Sequence, residues 1–346
     1  FSVSIVARGS GRSAVMSAAY RHCAQMDFER EARRIDYTRK QGLRHEEFTI
    51  PADAPDWLCK MIGDRSVAGA SEAFWNHVEI FEKRVDAQLA KDVTIALPVE
   101  LSSAQNIQLM REFVEAFIIS KGMVADWVYH DVPGNPHVHL MTTLRPLTED
   151  GFGAKKRTVL LPDGRPLRND AGKIVYEVWA GGTEDFSALR DGWFSCLNRH
   201  LMLAGLDLHV DGRSFKKQGI ELLPTLHIGV GAKAVDRKSQ AVHARETVAL
   251  PAGLPAPGSA SAPPSAPSKA SGSPLDRREL ERIALQEEVR AHNLRRIKEN
   301  PRIVLDLVTR EKSVFDESDI AKVLHRYVDD ARQFQGLMTR IMQHAD

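Results

Sequence analysis

The segment that most constrains this chain is a pair of apolar, strand-like runs separated by turn-forming residues. The first run, Val124–Tyr129, leads directly into His130, and the second contains His137-Val-His139. Between them, residues 131–136 read DVPGNP, and aspartate, asparagine, proline and glycine are typical of tight turns. The pattern therefore predicts a β-hairpin with histidines on both strands.

This hairpin would bring three imidazoles together. Residues two apart on a strand point to the same face, so His137 and His139 share a face, and the hairpin folds His130 back towards them. Three histidines that leave coordination positions open are typical of a catalytic metal site. Ligand softness alone allows zinc, nickel, cobalt or manganese. The competing interpretation is chance, because the chain holds 13 histidines.

The net charge of +1 hides an uneven distribution of charged residues. Residues 8–45 carry nine arginines and lysines against four acids, and residues 46–115 carry thirteen acids against six bases. Residues 154–168 are basic again, with five bases against one acid. Basic segments around a metal site favour a polyanionic substrate, because phosphate contacts supply most nucleic-acid affinity. The candidate DNA-binding residues are Arg12, Arg21, Lys155, Lys156 and Arg157.

Hydrophobic periodicity predicts an α+β fold, in which helices pack on a central antiparallel sheet. In the strand expected at 89–98, Val93, Ile95 and Leu97 form one face, and Asp92 and Thr94 form the other. A further strand is expected at 1–8, and helices are expected at 13–25, 71–87, 102–120 and 184–204. Trp127 and Trp179 are candidate platforms on which DNA bases could stack. For Trp127, however, we expect a position in the core.

Composition divides the chain into three parts. Residues 1–245 are expected to form one folded domain, 246–275 a flexible linker, and 276–346 a helical segment. Proline, serine, glycine and alanine make up 22 of the 26 residues from 250 to 275, a composition that cannot bury a core.

Three widely spaced cysteines form no disulfide framework, and no apolar run reaches transmembrane length. We therefore expect a cytoplasmic protein without membrane insertion. Because the sequence begins at Phe1 and ends in a charged, helix-like stretch, we interpret it as a piece trimmed at both ends.

Two reaction designs suit such a metal site. A bound water could attack the phosphate, giving a hydrolytic nuclease, or a side chain could attack and retain the phosphate covalently. Tyr20 is the candidate nucleophile, on a helix of small residues expected to be capped by Ser13. Arg12 and Arg21 lie nearby for phosphate contacts, and Tyr37 is the nearest rival. A non-catalytic DNA-binding module with structural histidines is the third interpretation.

Several motifs in a fixed order give the chain a specific resemblance. They are GRSAVMSAAYR, DYTRKQG, WNHVEIFEKR, AQLAKDVTIALPVEL and GNPHVHLMTTLRPL. Over about residues 1–235 the chain resembles the MobA/MobL relaxases. Residues 300–346 are similar to the segment that leads into a helicase part in such proteins. The helicase motor itself is not expected here, because the sequence lacks GxxxxGK followed by serine or threonine.

The resemblance implies an HUH-type relaxase fold, with a central antiparallel sheet flanked by helices. It implies that Tyr20 is the nucleophile and that Tyr37, which falls in a later family motif, is not. It also implies that the ligands of a magnesium or manganese ion are His130, His137 and His139. Asp92 maps onto an acidic residue of the family, with its role as general base or as orienting group for a histidine left open. Glu82 is a second acidic candidate for the site. The alternative interpretation is that its carboxylate is a solvated charge on a helix face.

The implied reaction is site- and strand-specific nicking of single-stranded plasmid DNA at the origin of transfer, oriT. It leaves a 5′-phosphotyrosine and a free 3′-OH, so it can both initiate and terminate conjugative transfer. The resemblance further implies relaxosome accessory proteins and a type IV secretion coupling protein as partners. It also implies translocation of the bacterial protein to the recipient with the DNA.

Overall fold

A computed structural model describes residues 1–225 and 274–343, with side chains in the second range from 281 onwards. The chain divides into two compact units, Phe1–Gly212 and Arg213–Asp346. The predicted linker at 246–275 lies outside the described residues, except for its last two positions, where a helix has already begun.

The first unit contains eleven strands among the described residues. They are β1 (Ser2–Ala7), β2 (Gln25–Phe28), β3 (Arg33–Asp36), β4 (Leu43–Thr49), β5 (Gln88–Ala96), β6 (Ala125–Val132), β7 (Asn135–Thr142), β8 (Leu147–Thr148), β9 (Gly151–Phe152), β10 (Lys156–Thr158) and β11 (Tyr176–Val178). Five of them form the central sheet in the order β1-β5-β7-β6-β4, and every pairing is antiparallel.

Helices cover both faces of this sheet. They are α1 (Ala14–His22), α2 (Asp56–Ile62), α3 (Val67–Phe81), α4 (Ser103–Phe117) and α5 (Thr183–Leu203). Helices α4 and α5 share an apolar core with Val93, Ile95 and Leu97, the strand face that the alternation predicted. Helices α1, α2 and α3 pack on the opposite face. The predicted α+β architecture with a central antiparallel sheet is therefore confirmed.

The histidine hairpin is formed by β6 and β7. Only Pro133 and Gly134 separate the two strands, and Gly134 has a φ of 74°, which a residue with a side chain rarely adopts. The tight turn sets the register, in which His130 lies directly opposite His137. The predicted hairpin is confirmed.

Element ends differ from the predictions where local caps intervene. The first helix stops at His22 rather than residue 25, because Cys23 takes a left-handed conformation with a φ of 52°. Helix α3, which was predicted at 71–87, begins instead at Val67, because the Ser66 side chain caps it by accepting a hydrogen bond from Gly69 N. It ends at Phe81. The basic segment at 154–168 contains β10, which pairs antiparallel with β11 to form a short hairpin.

The described part of the second unit is helical. The helices in it are α6 (Phe215–Gln218), α7 (Pro274–Glu299), α8 (Arg302–Glu311), α9 (Glu317–Leu324) and α10 (Ala331–Met342). An apolar core joins α8, α9 and α10. The buried Asn293 of α7 pairs with both backbone groups of Leu223, at 2.8 Å each. Among the described residues, no helix is both long and apolar enough to span a membrane.

Leu140 offers a test of the core beneath the histidine strand. It is fully buried on the α4–α5 side of β7. We expect Leu140→Ala to lower the free energy of unfolding by about 2–5 kcal/mol, because it leaves a cavity. Urea unfolding measures this, and exposed Val99→Ala is the control, expected to change stability by less than about 0.5 kcal/mol. Equal effects of the two variants would contradict the packing described here.

Candidate active site

Polar side chains of three adjacent strands share the sheet face that α1 covers. Because side chains alternate along a strand, Asp92 and Thr94 of β5 lie opposite the apolar face described above. The neighbouring β7 places His139 opposite Thr94 in the register, and β6 adds His130 opposite His137. The pattern that builds the apolar core on one face therefore leaves a polar row on the other.

The three predicted histidines converge. One nitrogen from each of His130, His137 and His139 lies within 4.8 Å of the others. Each ring also has a protein contact that orients it. His137 Nδ1 lies 2.8 Å from the Asn135 carbonyl oxygen, and His139 Nδ1 lies 3.3 Å from Thr94 Oγ1.

The donor set fits a divalent metal ion. Burial, with the nearby Lys40 charge, lowers the pKa of His130 to about 4, and a backbone hydrogen bond only partly opposes this. Burial and the Arg21 charge lower the pKa of His139 to about 3. Both imidazoles are therefore neutral near pH 7, and neutral imidazole nitrogens bind metals. The identity of the ion stays a prediction.

Helix α1 brings Tyr20 to the same face. Ser13 caps the helix as predicted, accepting a hydrogen bond from Met16 N, and small residues of α1 pack into the core. Tyr20 is 46% exposed and meets the Tyr37 ring edge-on, with 5.3 Å between ring centroids. The Lys40 ammonium lies 4.4 Å from the Tyr20 ring centre and 3.1 Å from His130 Nδ1.

The candidate carboxylate Asp92 is held between two guanidiniums. Its Oδ2 lies 2.7 Å from the Nη2 atoms of both Arg12 and Arg21. Among the described residues, its buried Oδ1 has no hydrogen-bond partner. Asp92 therefore fixes both arginines at the sheet face and retains one free acceptor oxygen.

A surface groove joins these groups. It is lined by Gly11, Arg12, Ser13, Met16, Ser17, Tyr20, Arg21, Tyr37, Asp92 and His139. The groove thus places a partly exposed phenol beside two cations, a carboxylate and one of the three histidines. Such a combination can bind a phosphodiester and attack it.

Other predicted site residues are engaged elsewhere. The Glu82 carboxylate lies 2.7 Å from both Arg145 Nε and Lys155 Nζ. The alternative interpretation of Glu82 as a solvated charge is therefore wrong, because its carboxylate forms ion pairs with these two side chains. Arg157 pairs with Glu177, while Lys156 is exposed. As expected, Trp127 is fully buried in the core and offers no stacking surface. Trp179 is partly buried against the same core.

Sequence reasoning missed a buried polar network beneath α1. His22 Nδ1 lies 2.7 Å from Glu46 Oε2, and His22 Nε2 lies 2.8 Å from Asp126 Oδ1. Asp126 Oδ2 accepts hydrogen bonds from Ser71 and Trp75. Burial alone would lower the pKa of His22, but the two carboxylates outweigh it and raise this pKa to about 9. The only signal in the sequence was a histidine two residues after Tyr20.

Comparisons with known proteins find one family and several relatives. A sequence model of the MobA/MobL family matches residues 12–238. The "Probable conjugal transfer protein TraA" of Sinorhizobium fredii is 66% identical over 99% of this chain, and the "Conjugal transfer protein TraA" of Agrobacterium fabrum is 62% identical over 99%. The chain spans 28% of the length of each of these relatives.

A solved structure gives an independent comparison. It comes from work on the molecular basis of vancomycin resistance transfer in Staphylococcus aureus. The two chains are 26% identical and superpose with a TM-score of 0.50, covering 62% of this chain and 97% of the other. The similarity therefore covers nearly the whole of that second chain.

The histidine cluster predicts a specific loss of metal binding. We expect His137→Ala and His139→Ala each to lower Mn²⁺ affinity by about 10–100-fold or more, because each removes a nitrogen donor. Isothermal titration calorimetry measures the affinity. His209→Ala, a change at an exposed histidine outside the cluster, is the control and should bind Mn²⁺ as the wild type does. Unchanged affinity in both cluster variants would contradict a metal site here.

The raised pKa of His22 predicts a pH-dependent stability. A group whose pKa is about 9 when folded and about 6.5 when unfolded stabilises the fold fully below pH 6.5, and this stabilisation is lost as the pH rises to about 9. The stability difference between wild type and His22→Gln should therefore shrink by on the order of 1–3 kcal/mol between about pH 6 and pH 9.5. Urea unfolding at the two pH values measures it, and a constant difference would exclude a buried imidazolium.

Proposed function

Because this chain belongs to the MobA/MobL family, we propose that it is the DNA-nicking part of a conjugative relaxase, with Tyr20 as nucleophile. The observation that carries the proposal is the shared groove, which brings the exposed phenol of Tyr20 to the same sheet face as the histidine cluster. A hydrolytic nuclease would need the histidines but no adjacent tyrosine. The proposal therefore depends on Tyr20 forming a covalent bond.

In the proposed reaction, Tyr20 Oη attacks the scissile phosphorus as the P–O3′ bond breaks. The phenolic proton leaves Tyr20, and a proton is delivered to the departing oxygen, giving a 5′-phosphotyrosine and a free 3′-OH. His130, His137 and His139 would hold a divalent ion, which would supply Lewis-acid stabilisation of the phosphate's negative charge. Because one phosphodiester replaces another, the same tyrosine can reseal the strand.

The charged groups of the groove have distinct proposed roles. Arg12 is partly exposed and binds a phosphate of the DNA, while the buried Arg21 holds Asp92 in place. Asp92 lines the same groove as Tyr20, and its buried Oδ1 has no hydrogen-bond partner among the described residues, so we assign Asp92 the general-base role rather than that of an orienting group. Glu82 holds Lys155 and Arg145 and takes no part in the chemistry.

The proposed substrate is single-stranded plasmid DNA at the origin of transfer. The exposed basic side chains of the β10–β11 hairpin, including Lys156, supply additional contacts to its phosphates. The TraA relatives are described as conjugal transfer proteins, so accessory proteins at the origin and a secretion coupling protein are the proposed partners. Passage into the recipient with the DNA is part of the same proposal.

Replacing Tyr20 tests the covalent step. With Mn²⁺ and a single-stranded oligonucleotide spanning the origin, wild type should give a protein–DNA band on a denaturing gel. Tyr20→Phe should give none, because it lacks the attacking oxygen, and its nicking should fall by about 10³-fold or more.

Tyr37→Phe is the matched control, since its ring packs against that of Tyr20. It should keep the covalent band. If Tyr20→Phe still nicked the DNA without a covalent band, the protein would be a hydrolytic metallonuclease. If the wild type left the oligonucleotide intact, the chain would be a binding module.

Replacing Asp92 separates catalysis from binding. We expect Asp92→Asn to slow adduct formation by about 10–100-fold, because the amide cannot accept the phenolic proton. DNA affinity, measured by fluorescence anisotropy, should change little, since Arg12, the proposed phosphate contact, remains. An unchanged rate of adduct formation would remove Asp92 from the proposed chemistry.

A further inference from the structure

His22 lies where the tyrosine helix meets the strand that carries a candidate metal ligand. It is 3% exposed and belongs to the last turn of α1, two residues after Tyr20. Its two ring nitrogens contact carboxylates from two strands, Glu46 of β4 and Asp126 of β6. Because both nitrogens face an acceptor, both carry a proton, and His22 is a buried imidazolium.

The acceptor Asp126 is itself fixed in direction. Its other oxygen accepts a hydrogen bond of 2.6 Å from Ser71 Oγ and one of 2.7 Å from Trp75 Nε1, both on α3. The carboxylate is buried and its hydrogen bonds are complete, so it cannot rotate without losing one of them. His22 is therefore held by a partner that the rest of the fold holds in turn.

The same turn of α1 also touches the histidine cluster. His130 Nε2 donates a hydrogen bond of 2.6 Å to the carbonyl oxygen of Arg21, the residue between Tyr20 and His22. Asp126 and His130 lie four residues apart on β6, so both project from the same face of the strand. A shift of the turn would therefore move both Tyr20 and the hydrogen bond that orients His130.

Apolar packing alone would not fix the position of the last turn of α1. The buried face of α1 is formed largely by Ala14, Val15, Ala18 and Ala19, small side chains that share an apolar core with residues of α3 and of the sheet. Small side chains permit close approach but impose few constraints on the direction in which the helix lies. Buried ion pairs often add little net stability, and their better-supported role is to select one arrangement.

We propose that His22, clamped between Asp126 and Glu46, is a positioning residue that sets the Tyr20 hydroxyl against the histidine cluster. This inference rests on the proposed function, in which Tyr20 is the nucleophile. His22 touches neither DNA nor metal in it. Its effect reaches the reaction through the last turn of α1.

Single-turnover kinetics test the clamp in the full chain, with Mn²⁺ and an origin oligonucleotide. At saturating DNA, His22→Gln and Asp126→Asn should each slow adduct formation by about 10–100-fold, since misplacing a reacting atom by about 1 Å costs that much. The DNA dissociation constant should change by less than about twofold, because no DNA contact is removed. The double variant should be no slower than the slower single variant, because both changes break the same contact.

A matched control separates positioning from general stability. Asn76 is also buried on α3, but its side chain hydrogen-bonds to the backbone of Asp27, Glu29 and Glu72. Asn76→Ala should lower the melting temperature yet form the adduct at the wild-type rate once folded. If Asn76→Ala slowed the reaction as much as His22→Gln, the positioning role would be overturned.

Variants at Glu46 provide a second test if the His22 variants do not fold. The Glu46 side chain is the more exposed partner of His22, so we expect its replacement to disturb folding less. Glu46→Gln retains an acceptor for Nδ1–H and should react within about twofold of the wild-type rate, whereas Glu46→Ala should be slower by about tenfold. Equal rates for the two variants would overturn the clamp.

The outcomes also separate the two proposals. An adduct at wild-type rate in every clamp variant would overturn the clamp and leave the proposed function standing. Absence of an adduct in the wild type would overturn the proposed function and the clamp with it.

Discussion

The site depends on how one short helix docks on one face of an antiparallel sheet. Helix α1 carries Tyr20, and its last turn makes the contacts that fix it. The Arg21 carbonyl accepts a hydrogen bond from His130, and the Arg21 guanidinium pairs with Asp92. The geometry of the site follows from this interface, because the strands hold the histidines and the helix holds the tyrosine.

Charge is arranged to keep His130 and His139 neutral and to place cations in and beside the groove that contains Tyr20. Burial and nearby positive charges depress the pKa values of His130 and His139, which leaves nitrogen lone pairs for a metal. The Lys40 ammonium and the two arginines make the groove suitable for a phosphodiester. A buried imidazolium at His22 lies outside this groove and is balanced by its own carboxylates.

The sequence predicted the parts of the site that depend on local periodicity. Alternation and the turn-forming residues 131–136 were enough to place His130, His137 and His139 on one face of a hairpin, and the apolar face of β5 followed from the same alternation. Ion pairs between distant segments could not be predicted this way, because their partners meet only through the fold. Glu82 with Lys155, and His22 with Asp126, are such pairs.

The central claim is that the covalent bond to DNA forms at Tyr20. Tyr20 and Tyr37 lie against each other, yet trypsin separates them into peptides covering residues 13–21 and 35–39. Mass spectrometry of the adduct, after nuclease and trypsin digestion, identifies the modified peptide directly. We predict a nucleotide on Tyr20 in peptide 13–21. A nucleotide on Tyr37, or cleaved DNA with neither peptide modified, would contradict it.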